Sequence, residues 1–226
     1  MPVSLLAVVA LIAALIAGAA GTHDPAHADG HSASHPGQHA ATPVMTEAQL
    51  AFHDQMRKLW EDHVTWTRLA IVTFADGSDG FGETAGRLLQ NQVDLGDALK
   101  PFYGTAAGDR LTALLRDHIL IAVDVLTAAK NGDGAAFDAA NARWYANGDD
   151  VADLISSLDP PAWPRDEVRA MMKTHLDQTL AEAAAELGGD YAASVASYED
   201  VHQHMLDMAD MLSAGIMARF PASFRP

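Results

Sequence analysis

Thr46 to Ile71 reads TEAQLAFHDQMRKLWEDHVTWTRLAI, and the periodicity of this stretch decides the fold class. Phe52, Met56, Leu59, His63, Trp66 and Ala70 recur every three or four residues, with Trp60, Val64, Thr67 and Ile71 beside them. That spacing lays a broad apolar stripe along one side of an α-helix. Thr46 and Gln49 form a capping box at its start, and Asp76-Gly77 marks its end. Only His63, near the middle of the helix, is out of character with the stripe.

The same exception recurs downstream. LLRDHILIAV (114–123) carries His118 and MMKTHLDQTL (171–180) carries His175, each at a helix midpoint on the inward face. Midpoints of antiparallel helices lie at one level, so the three imidazoles are expected to form a polar layer across an apolar core. A buried imidazole is costly unless its nitrogens find partners. Bundle cores are also where side chains from separate helices assemble metal and cofactor sites.

Outward from these segments the chain reads as further helices. A short one is expected over Thr84–Leu99, weakened by Gly86 and Gly96 and stopped by Pro101. Asp109–Lys130 follows, then Ala135–Leu158, with a break expected at Asn147-Gly148. The rigid DPPAWP segment leads to a helix from Arg165 to Leu187, with Val168, His175, Thr179 and Glu182 inward. The last helix spans Asp190–Arg219, with Tyr191, Val195, Tyr198, His202, Met205, Met208 or Ala209, and Leu212 inward and Pro221 ending it. No strand pattern or internal repeat appears. The expected fold is all-α: an antiparallel bundle of four to five long helices plus one short one, over residues 45–221, with 222–226 as a C-terminal tail.

The N-terminus differs in texture. Ser4–Ala20, SLLAVVALIAALIAGAA, is an unbroken apolar run, short for a membrane span of about 20 residues but suited to a secretory leader. Residues 1–22 are therefore expected to be a signal peptide, or a membrane anchor through residues 4–20, and the protein to be exported: periplasmic, secreted or held at the outer face of the inner membrane. The n-region lacks Lys and Arg, which an uncleaved anchor or a misassigned start would explain. Residues 23–44 carry His23, His27, His31, His35 and His39 among Pro and Gly that forbid a stable helix. This tract reads as a flexible linker capable of loose metal capture; the bland alternative is a spacer.

Composition narrows function. The 226 residues hold 30 acidic and 14 basic side chains, a net charge of −16, which argues against nucleic-acid partners and anionic lipid. The absence of Cys excludes disulfides, thiolate metal sites and c-type haem attachment. On the last helix, His202 with Met205 and His204 with Met208 share faces, and thioether beside imidazole suits copper where thiols are missing. A Met stripe at this spacing is also ordinary core packing. Di-iron chemistry would need two Glu-x-x-His pairs, and only Glu199-x-x-His202 fits; Glu182 and Asp124 are the remaining inward carboxylate candidates. Arg68, Arg143 and Arg169 read as surface or cap partners. GFGETAG (80–86) lacks the strand and Lys of a phosphate loop, and G-x-S-x-G and H-E-x-x-H are absent.

The expected function is metal binding, copper first and zinc or nickel next. The candidate ligands are His63, His118, His175, His202, His204, Met205 and Met208, with a metal ion as partner. The competing reading is a non-catalytic structural or partner-binding bundle whose imidazoles hydrogen-bond within a polar layer. A weaker third is an oxidoreductase using metal or haem.

Three stretches, LWEDHVTWTRLAI (59–71), NARWYANGDDVADL (141–154) and VHQHMLDMADMLSAGI (201–216), together resemble a family of small all-helical bacterial proteins whose biochemical role is unassigned. The likeness runs from about His53 to Pro221 and leaves the His-rich tract outside. It implies a helical bundle with polar groups inside and carries no catalytic role onto these residues.

Overall fold

The computed structural model describes residues 45–225. The apolar run and the His-rich tract lie outside the described residues. Within them the chain folds as α1 (Glu47–Ala75), α2 (Phe81–Tyr103), α3 (Thr105–Asn131), α4 (Gly134–Leu158), α5 (Arg165–Gly188), α6 (Tyr191–Arg219) and a short 3-10 turn, Pro221–Phe224. The all-α bundle is as expected, but with six long helices. Each packs against the next, and α6 returns to α1, closing a ring across which α5 also reaches α1. Short connections make neighbours antiparallel. No helix among the described residues is long and apolar enough to cross a membrane.

The caps follow from the sequence. Thr46 accepts from the Gln49 N–H while the Gln49 side chain accepts from the Thr46 N–H, completing the capping box. Asp133 and Asp190 cap α4 and α5's successor α6 through the N–H groups of Ala136 and Ala193.

Three expectations are corrected. The second helix is long: Pro101 lies inside its last turn, and the chain turns at Gly104, whose φ is 85°. Gly96, taken as a weakness, is a contact point, since a Cβ there would lie 2.6 Å from the Gly108 carbonyl oxygen. Small residues at this crossing let the α2 and α3 backbones touch. Asn147-Gly148 does not break α4, because both residues are inward and buried and Gly148 makes room for Leu176. On α6, Tyr191 and Val195 face solvent at 61% and 52% exposure, and the inward row is Ser194, Val201, Met205, Met208 and Leu212. Ser194 holds the inward position because it serves a buried ionic cluster.

One end of the bundle is closed by aromatic rings. Phe52, Phe102 and Phe224 meet at centroid distances of 5.1 to 5.7 Å, and Tyr103 bridges Phe220 and Trp163. Phe224, in the stretch expected as a tail, is buried, and its carbonyl accepts from the Thr46 hydroxyl at 2.9 Å.

Candidate functional site

The three midpoint histidines converge. His175 of α5 is the hub: its ring centroid lies 5.7 Å from that of His63 on α1 and 6.3 Å from that of His118 on α3. All three side chains are buried, at 2–3% exposure. Their sequence context explains the meeting. Each is flanked by apolar residues on its inward face, so the burial of Met56, Trp60 and Val64, of Leu115 and Ile119, and of Met172 and Leu176 carries the imidazoles inside with it.

Partner side chains orient two of the rings. Asn147 of α4 donates its amide N–H to the Leu114 carbonyl at 3.1 Å, which turns its Oδ1 toward His118 Nδ1 at 2.8 Å. An amide oxygen only accepts, so His118 carries its proton on Nδ1 and keeps a lone pair on Nε2. Trp144 stacks on the same ring at 5.2 Å. On the other side, Gln92 of α2 is held by the Leu88 carbonyl at 2.7 Å and donates to His63 Nδ1 at 3.3 Å. That places the His63 proton on Nε2. Asn91 bonds the Leu59 carbonyl beside it.

The remaining polar atoms are less well served. His118 Nε2, His175 Nδ1, Thr179 Oγ1 and Trp144 Nε1 are buried with no hydrogen-bond partner in the protein. All four residues line one cavity of about 50 Å³, together with all-carbon surfaces from Ile71, Leu88, Ile119, Val125 and Leu180. Half-buried Phe81, Ala85 and Ala122 also line it, so it approaches the surface between α2 and α3.

Burial sets the charge state. Desolvation pushes His63 down to about 4, helped by the neighbouring His118 and opposed by the amides of Asn91 and Gln92. Desolvation likewise takes His118 to about 4 against the pull of Asn147. His175 is held well below the ordinary imidazole value by burial and then by the other imidazoles. At neutral pH the layer is uncharged; His118 Nε2 offers a lone pair, while the His63 lone pair is taken by Gln92.

The other sequence candidates lie elsewhere. His204 donates Nε2–H to the Met171 carbonyl at 2.9 Å, and His202 stacks on Tyr198 near Glu61, half-exposed. Met205 and Met208 are packed in the main hydrophobic core. None of these four lines the cavity. Asp124 is 57% exposed and paired with Arg143 at the surface, so it is not inward. Glu182 is inward, and Arg68 is its partner rather than a surface residue: Arg68 Nη1 lies 3.2 Å from Glu182 and Nη2 3.1 Å from Glu186. This cluster escapes the periodicity argument because a long Arg stem can start at a helix flank and bring its head inside. Gln92 and Asn91 were also missed, since two adjacent amides in a helix flagged as weak give no pattern.

As placed, no three His, Cys, Asp or Glu side chains among the described residues form a group that could hold a metal ion. The reason is visible in the hydrogen bonds: one nitrogen each of His63 and His118 is committed to an amide, and the facing rings are tilted or stacked. Comparison with family models, with curated proteins and with solved structures finds no match.

Proposed function

We propose that this protein binds a transition-metal ion at the His63–His118–His175 cluster. The observation that carries the reading is the pair of uncommitted imidazole nitrogens, His118 Nε2 and His175 Nδ1, on two residues that line one cavity. A neutral imidazole whose Nδ1–H is fixed by a carbonyl oxygen is the form in which histidine ligates metals, with the outer partner setting ring and tautomer. Asn147 has that relation to His118. Imidazole ligands suit copper, zinc and nickel. The thioethers of Met205 and Met208 support packing rather than ligation, so they no longer favour copper. A cavity of about 50 Å³ suits an ion with one or two small ligands; a haem would need the helices to part. The five tract histidines would serve as loose capture in this reading, and no catalytic step is assigned.

The hydrogen-bonded layer is the second reading, favoured by the amide contacts to His63 and His118. It leaves the unpartnered atoms unexplained. The test uses full-length protein in which His23, His27, His31, His35 and His39 are replaced by Asn. It is loaded with copper(II), zinc or nickel, dialysed, and assayed for bound metal. One ion per chain, lost in His118→Ala and His175→Ala, supports the site. Retention by neither parent nor variants, with no shift in melting temperature, leaves the polar layer standing.

A further inference from the structure

Beyond Thr179 on the same face of α5 lies a second buried polar cluster. Glu182 and Glu186 are 1% and 5% exposed, and both face the Arg68 guanidinium of α1 at 3.2 and 3.1 Å. Ser194 of α6 donates to Glu186 at 2.5 Å and also touches Arg68 Nη1. The formal charges do not balance: two carboxylates share one guanidinium. A surplus charge in a protein interior is unfavourable and is normally relieved by protonation or by a nearby cation. Burial pushes the Glu182 carboxyl up to about 7 against the pull of Arg68, with Glu186 adding to the rise. The charged groups that face it are Arg68 from α1 and Glu186 from α5 itself; α6 brings the uncharged Ser194 hydroxyl.

We infer that Arg68, Glu182, Glu186 and Ser194 form a proton-binding site that gives up its proton when a cation is taken at the imidazole cluster. The coupling rests on the ion-binding reading above. Glu182 follows His175 by seven residues, two helical turns or about 10 Å along the axis. At an effective dielectric near 20, a unit negative charge at that distance changes the affinity for a divalent cation by about 200-fold. The step balances simply. A cation enters among neutral imidazoles, the Glu182 carboxylic acid ionises, and its proton passes to water. The imidazoles cannot supply that proton near neutrality, because burial has already stripped them.

The experiment is calorimetric titration of zinc into the full-length protein with the five tract histidines replaced by Asn, in buffers of different ionisation heat. At pH 6.5 about three-quarters of a proton should leave per zinc bound, falling toward zero by about pH 8.5. Glu182→Gln should release none and bind zinc about 200-fold more weakly at pH 8. Equal release from Glu182→Gln, or release independent of pH, overturns the coupling. Carboxyl ¹³C NMR of the metal-free protein reads the proton site without the variant: a Glu182 midpoint near 7 is expected, and one in the ordinary carboxylate range overturns it. Absence of any zinc binding removes the ion reading and the coupling together, while the NMR titration still decides whether Glu182 holds a proton.

Discussion

The aromatic end and the polar middle of this bundle are built on opposite rules. At the end, Phe52, Phe102, Phe224, Tyr103 and Trp163 pack ring against ring and seal the helices. At mid-height, the same helices place His63, Gln92, His118, Asn147, His175 and Thr179 inside and leave several of their polar atoms without a protein partner. The sealed end is arranged for stability. The polar middle gives up stability at positions where an apolar residue would pack as well, and a cavity lies beside them. Residues that weaken a fold without helping to pack it are the ones to suspect of binding something.

Acid should separate the two regions most sharply. The imidazoles are depressed in the folded state, so the unfolded chain takes up their protons first. Their contribution is fully present above about pH 6.5 and is lost as pH falls toward about 4. Glu182 has the opposite sign: its raised value favours the fold below about 4.5, and that help is lost as pH rises through about 7. Three imidazoles outweigh one carboxyl, so stability should drop by an amount on the order of several kcal/mol between pH 7 and pH 4. Denaturant melts at half-unit pH intervals would show it; a flat profile would mean the rings are charged or exposed.

The next largest effect belongs to the sealed end. Trp163→Ala removes a fully buried indole packed over Gly215 and should lower unfolding free energy by about 3–5 kcal/mol, read from denaturant midpoints. In the polar middle the sign should reverse. His175→Leu removes a nitrogen with no protein partner, so the metal-free protein should be unchanged or gain about 1 kcal/mol while the ion is lost. His118→Leu should do worse than His175→Leu, because it strands the Asn147 carbonyl oxygen. Thr179→Val is the mildest, with a gain below about 1 kcal/mol in thermal melts. A large loss for His175→Leu would show that the polar layer is structural after all.

Much of this was legible in the sequence, for reasons that also define what was not. His63, His118 and His175 could be placed at one depth because a 3.6-residue period and short loops fix both face and level. The α5 row of Val168, His175, Thr179 and Glu182 was read correctly by the same logic. The start of α6 was not, since an exposed Tyr191 and Val195 look apolar while the inward Ser194 looks like surface. Gly96 and Pro101 misled because local propensity counts them as breakers, whereas helix contact uses the first and a last turn tolerates the second. Arg68, Gln92 and Asn91 acquire their roles only from partners on other helices, which no single periodicity records.

The hydrogen bond from Thr46 to Phe224 has a practical corollary. Both ends of the described chain leave the molecule side by side at the aromatic base, and His63 stands 17 residues, about 25 Å, further along α1. A surface linkage or a label placed at residue 45 or 225 would therefore sit remote from the rim between α2 and α3. Joining residue 225 to residue 45 by a brief linker and reopening the chain at residues 76–80 would give a permuted domain with its new ends beside that rim instead.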